Sequence, residues 1–202
     1  GRSEFYRMDY NLSVAELPEW HVKIPGLPWN ERNKEKAKRL LQEAGYKGEP
    51  FRFLTTQEYK WMYDFALITK QQLEDVGFNI DLQVVDWATL IRRRNNPKEY
   101  DAFVTGVGMG TMYDPTHHQV LICTWPGWTC DEDILRIQNE LARETDPKKR
   151  YALWEQQHRI FYEKVPVIRY GDLFGLLAIR SAVKGYNEKM ERMRFTNVWL
   201  DR

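Results

Sequence analysis

The residues with the strongest claim to chemistry lie in the run YDAFVTGVGMGTMYDPTHH, residues 100–118. Gly106, Gly108 and Gly110 alternate with Val107 and Met109. A turn so rich in glycine lets its backbone approach a guest closely. Met109, Thr111, Met112 and Tyr113 follow, offering apolar surface and hydroxyls. This inventory suits binding rather than bond-making. Ser3, Ser13 and Ser181 stand outside any G-x-S-x-G elbow. No carboxylate pair stands out for acid–base work. The glycines read G-x-G-x-G, without the third glycine at the offset that the dinucleotide fingerprint requires. His117 and His118 are adjacent, so on a helix they diverge by about 100°. That favours a polar helix start, with His117 as a weak metal candidate. His21 and His158 are isolated. Cys123 and Cys130 flank TWPGWT. They could close a small disulfide loop in an oxidising compartment or remain two thiols; their spacing is not that of a zinc site. No cofactor is expected.

The elements that must position these residues are legible from periodicity. FRFLTTQ, YKWMYDFALITKQQLEDVG, FNIDLQVVDW, ATLIRRRNN and YDAFVTG alternate strand and helix, an order that predicts a parallel sheet with helices packed on it. Ligands of open α/β sheets settle at the carboxyl ends of the strands. There the third strand runs into the glycine turn, and Thr56, Gln57 and Tyr59 follow the first strand on the same edge. A preceding helix is expected over residues 31–44, with Asn30 as N-cap and Gly45 beyond its end. The second helix places Met62, Phe65, Ala66, Thr69, Leu73 and Val76 on one face, and Asp86 caps the third. Further on, Asp131 or Asp133 can start a helix with Ile134, Ile137 and Leu141 inward. Asp146-Pro147 starts another that buries Trp154, His158 or Gln157, and Phe161. Residues 167–170 and 173–183 read as strands. Residues 1–30, broken by Pro18, Pro25, Gly26 and Pro28, read as an irregular strap outside the core.

The 202 residues are 43% hydrophobic, enough for one sizeable α/β core. Thirty basic against 29 acidic residues leave a net charge of +1, which argues against a nucleic-acid surface. The one dense basic run, Arg92-Arg93-Arg94, reads as a solvated helix end facing the dipole. Eight Trp and eleven Tyr suit a core, a ligand cleft or an interface alike. No run of about 18 apolar residues occurs, so no membrane-spanning helix is expected.

The order NKEKAKRLLQEAGY, strand, QLEDVGFNIDLQVVDWATL, YDAFVTG, then Asp114-Pro115, followed by DPKKRYALWEQQHRIFYEKVPVIRYGDLFGLLAIRSAVKGY, resembles the second lobe of extracytoplasmic solute-binding proteins of the peptide/nickel family, which serve ABC importers. The resemblance covers about residues 30–199. It implies an α/β lobe of the type II periplasmic-binding-protein kind, a parallel-rich sheet flanked by helices. Residues 1–30 would be a hinge-proximal strap, 31–183 the lobe, and 184–202 a return segment toward a first lobe lying outside this chain. It implies solute capture without catalysis, in a periplasmic or extracytoplasmic setting. The partners would be a small solute or short peptide, a membrane ABC permease and the first lobe, with no nucleic acid. The implied ligand contacts are Thr56, Gln57, Tyr59, Gly108, Met109, Gly110, Thr111, Met112, Tyr113 and Trp125. Family members often carry an acid before the Asp-Pro that meets a peptide's amino terminus; here Thr111 occupies that place. Tyr113-Asp114-Pro115 is similar to the nickel-binding branch. The extracytoplasmic setting favours the Cys123–Cys130 disulfide, which would hold Trp125 and Trp128 in its loop.

Overall fold

The computed structural model describes residues 4–27, 31–108, 113–125, 130–187 and 195–201. The chain divides into two compact units. One comprises Pro28–Val107 with Cys123–Thr129; the other comprises Gly1–Leu27, Gly108–Ile122 and Cys130–Arg202.

The unit built on Pro28–Val107 is the βαβαβ arrangement the sequence predicts. Helix α1 (Lys34–Glu43) leads to strand β2 (Pro50–Thr55), helix α2 (Lys60–Glu74), strand β3 (Asn79–Val84), helix α3 (Trp87–Arg93) and strand β4 (Ala102–Phe103). The three strands lie in the order β3-β2-β4, and both pairings are parallel. Phe53 and Leu54 are consecutive in β2 and therefore face opposite sides, yet both are buried. The sheet is thus covered on both faces, as parallel sheets require. On one side Phe53, Ile80 and Val104 pack with Met62 and Ala66 of α2. The face predicted for α2 holds: Met62 and Ala66 are buried, while Leu67 and Ile68 on its far side are exposed.

Local signals set the ends of these elements. Asn33, rather than Asn30, caps α1, its side chain accepting from the Lys36 amide at 2.9 Å. Gly45 follows α1 with φ of +74°, the left-handed turn that favours glycine. Asp86 caps α3 through the Thr89 amide at 2.9 Å. Strand β4 spans two residues, with the Asp101 and Val104 amides on either side still donating to the Arg52 and Leu54 carbonyls of β2 at 2.9 and 3.1 Å.

The second unit holds two helices, α4 (Glu132–Arg143) and α5 (Pro147–Lys164), packed on each other. Asp131 caps α4 through the Asp133 and Ile134 amides. Asp146 caps α5 through the Lys148 and Lys149 amides, with Pro147 at the first helical position. Ile134, Ile137, Leu141, Trp154 and Phe161 face inward as their spacing predicts, and both Gln157 and His158 are buried.

Three expectations change here. The strap is not outside the core: Leu12, Val22 and Ile24 are buried, and the Trp154 indole donates to the Trp20 carbonyl at 2.8 Å. Its irregular backbone therefore finds side-chain partners in place of a ladder. Residues 167–170 form no strand. Val165 closes α5 in the left-handed conformation, and Arg169 turns to the Ser13 carbonyl at 3.0 Å and to the Asp172 carboxylate. Residues 173–183 are not one strand either. Strand β5 (Asp172–Leu173) pairs antiparallel with β1 (Tyr6–Arg7), and β6 (Val183–Lys184) with β7 (Trp199–Leu200). The intervening residues 174–180 are exposed.

Candidate ligand-binding site

The carboxyl ends of β2 and β3 carry an aromatic cluster. The loop after β2 is tied to the start of α3: the Glu58 carboxylate accepts from the Trp87 amide at 2.8 Å, and the Thr56 hydroxyl oxygen accepts from the Glu58 amide at 3.3 Å. That knot sets Tyr59 edge-on to Trp87, with ring centroids 5.1 Å apart and planes at 77°. Two helical turns along α3, Arg94 reaches back, its guanidinium carbon 5.9 Å from the Trp87 ring centroid and 5.6 Å from that of Trp125. Trp87 also packs on the sheet's core cluster, which anchors the group from beneath.

The predicted residues fall as follows. Tyr59 is exposed and Trp125 half-buried, and both belong to this cluster. Gln57 is exposed in the same loop. Thr56 is wholly buried and shapes the loop from below. Gly108 is exposed. Met109, Gly110, Thr111 and Met112 lie outside the described residues. At Gly106 the close approach is made by the protein itself, because an added Cβ would stand 3.0 Å from the Trp61 ring. Both cysteines are disulfide-bonded.

In the other unit, Tyr113 is 71% exposed, and Asp114 opens a 3₁₀ turn, Pro115–His117. Burial opposes charge on the Asp114 carboxyl, but the Thr116 amide and hydroxyl and the Arg150 guanidinium outweigh it and hold its pKa below the ordinary value. Arg150 Nη2 stands 2.5 Å from Asp114 Oδ2. The carboxylate is thus engaged in fixing the turn. His117 is exposed, while His118 is buried and donates through Nε2 to the Leu12 carbonyl at 2.8 Å. Among the described residues no group of three or more His, Cys, Asp or Glu is arranged to hold a metal ion. An open groove of about 550 Å³ runs between α4 and α5, lined by Glu140, Arg143, Lys149 and Leu153 among others, and none of the predicted residues lines it.

The basic run departs from a solvated helix end. Arg93 donates to Gln83 Oε1 and the Glu99 carbonyl, each at 2.6 Å, and pairs with the Glu99 carboxylate at 3.3 Å. Arg94 lies near two indoles. The signal that could have marked it is the seven-residue spacing of Trp87 and Arg94, two turns apart on one helix face.

A parallel sheet flanked by helices is the fold this chain shares with type II periplasmic-binding proteins. Solved structures agree: the Bacillus subtilis oligopeptide-binding protein AppA in complex with a nonapeptide superposes with a TM-score of 0.81 at 21% identity, covering 99% of this chain and 44% of that one. NikA from Staphylococcus aureus in complex with Ni(L-His)2 gives 0.77 at 18% identity, over 98% and 44%. The family profile "Bacterial extracellular solute-binding proteins, family 5 Middle" matches residues 8–122, and the chain belongs to that family. The oligopeptide-binding protein AppA of Bacillus subtilis (strain 168) is 32% identical over 126 residues, 53% of this chain and 23% of the relative. The chain thus spans about a quarter of the length of that curated relative.

Proposed function

We propose that the chain forms one wall of a cleft that captures a short peptide for an ABC-type importer, outside the cytoplasmic membrane. The observation that carries this reading is the aromatic cluster of Tyr59, Trp87 and Trp125 at the carboxyl ends of β2 and β3, in a chain of family 5. Rings in that position offer flat apolar area to side chains of varied shape, while backbone groups at residues 106–108 remain for peptide hydrogen bonds. Relatives whose names specify oligopeptides support the solute class. In this reading a second lobe closes the cleft and excludes water, a hinge motion that makes binding strong without chemistry. A metal chelate is the second reading, on the strength of the Tyr113-Asp114-Pro115 run and the exposure of Tyr113.

Isothermal calorimetry on the full-length natural protein tests both readings. Tri- to nonapeptides are expected to bind and a nickel–histidine complex to give no heat. The reverse pattern would favour the chelate, and silence toward both would end the importer reading.

A further inference from the structure

Glu58 and Tyr59 stand at the start of α2 but serve α3. Tyr59 is the N-cap of α2, a place where Ser, Thr, Asp or Asn would satisfy the first amides. Its side chain makes no cap, and the first turn of α2 carries no acid. The ring lies instead edge-on to Trp87, with centroids 5.1 Å apart. Glu58 precedes that cap, and its exposed side chain reaches a residue 29 positions further along the chain. The first amides of a helix lack partners within it. Asp86, the N-cap of α3, takes the Thr89 amide at 2.9 Å. An N-cap side chain serves the second or third amide of its helix, not the first. Glu58 Oε1 takes the first, that of Trp87 itself, at 2.8 Å.

The near end of this link is fixed as well. The hydroxyl of buried Thr56 accepts from the Glu58 amide at 3.3 Å, and the Thr55 carbonyl accepts from the Val85 amide at 3.0 Å. Both loops are thus tied where β2 and β3 end. An exposed hydrogen bond adds little net stability, so this one is better suited to set geometry than to hold the fold. A helix start given an aromatic cap breaks a local rule, and such breaks fall at sites that serve something else.

We infer that Glu58 is a positioning residue of the solute site. Its carboxylate holds the main chain of Trp87 and, through the adjoining residue, the ring of Tyr59. The two rings then form one preset wall. A preset wall receives an apolar side chain without first losing rotamer freedom of its own. Glu58 therefore sets how strongly the site prefers an apolar side chain to a small one. This inference rests on the peptide-binding reading.

The test uses the full-length natural protein labelled with ¹⁵N-tryptophan and two probes, tri-alanine and Ala-Phe-Ala. By calorimetry the unaltered protein is expected to bind Ala-Phe-Ala roughly tenfold tighter. Glu58→Ala should bring that ratio near one. Glu58→Gln, whose amide oxygen can still accept from Trp87, should keep most of it. A merely structural residue would lower both affinities alike and leave the ratio. Without peptide, the Trp87 indole Nε1–H resonance should move in Glu58→Ala in the direction set by Tyr59→Leu, which removes the ring, and stay in Glu58→Gln. A ratio near one in the unaltered protein, a ratio unchanged in Glu58→Ala, or an indole resonance unmoved in that variant overturns the inference while leaving peptide capture intact. A resonance that moves in a protein binding neither peptide supports the positioning and removes the peptide reading. Collapse of the fold in Glu58→Ala would make the residue structural and overturn the inference as well.

Discussion

Two histidines illustrate how burial gives single residues their chemistry. His158 accepts the Leu12 amide on Nε2 at 3.0 Å, with Nδ1 2.9 Å from the Trp154 carbonyl and Asn11 Oδ1 2.9 Å from Nε2. The neutral ring fits that setting, with its proton on Nδ1. His118 donates from Nε2 to the Leu12 carbonyl and leaves Nδ1 buried without a partner. Burial pushes His118 down to about 4 and His158 to about 3. Both folded values lie below the unfolded one, so the stability is whole above about pH 6.5. It is lost as pH falls toward 4 for His118 and 3 for His158, because only the unfolded chain takes up the proton. Each ring contributes about 1.4 kcal/mol per pH unit in that window. Urea midpoints at pH 7 and pH 5.5, a range where most carboxylates stay ionised, should fall with acid. Equal midpoints would contradict the buried neutral pair. From sequence His158 was one of two candidates for burial on its helix, and Arg94 read as solvated. The spacing put each on a helix face, but not what that face meets.

Caps and glycines act at the scale of the element, and there the sequence is most reliable. Asp86, Asp131 and Asp146 all cap helices as read, because an N-cap is satisfied by amides two or three residues away. Replacing Asp146 with Ala removes the acceptor for the Lys148 and Lys149 amides and should cost about 1 kcal/mol, visible as a lower urea midpoint with unchanged slope. Gly106 is a different case. A valine there would drive its Cβ and methyls into the Trp61 ring, 3.0 Å away, at a cost of about 1–3 kcal/mol. Thermal melts of Gly106→Val should show the loss, and a variant as stable as the parent would mean that Trp61 yields freely. The elements misread, residues 167–170 and most of 173–183, share one cause. An apolar, β-branched run becomes a strand only if an edge is there to receive it. The Phe174 amide still donates to the Phe5 carbonyl at 3.0 Å, but residues 174–180 join no strand.

At the scale of the whole molecule, the second unit exposes Phe174, Leu176, Leu177 and Ile179, with Leu176 79% accessible. So much apolar side chain within six residues marks a surface that meets something. Residues 1–202 expressed alone should bind a hydrophobic dye and sediment with a concentration-dependent coefficient. The double substitution Leu176→Ser, Leu177→Ser should reduce both effects, and a dye-silent, concentration-independent monomer would show that this run needs no cover.

What the sequence determined by itself was the βαβαβ order, the helix faces and the caps, along with the family that their order resembles. All of these depend on neighbours within a few residues, where period and local hydrogen bonds dominate. What only the tertiary structure decided was which distant groups meet. Leu12, Val22 and Ile24 enter the core, Trp61 occupies the space above Gly106, and Trp125 comes to Arg94. Those contacts join residues tens of positions apart. They depend on burying area and satisfying charge across the folded chain, and no local spacing encodes that.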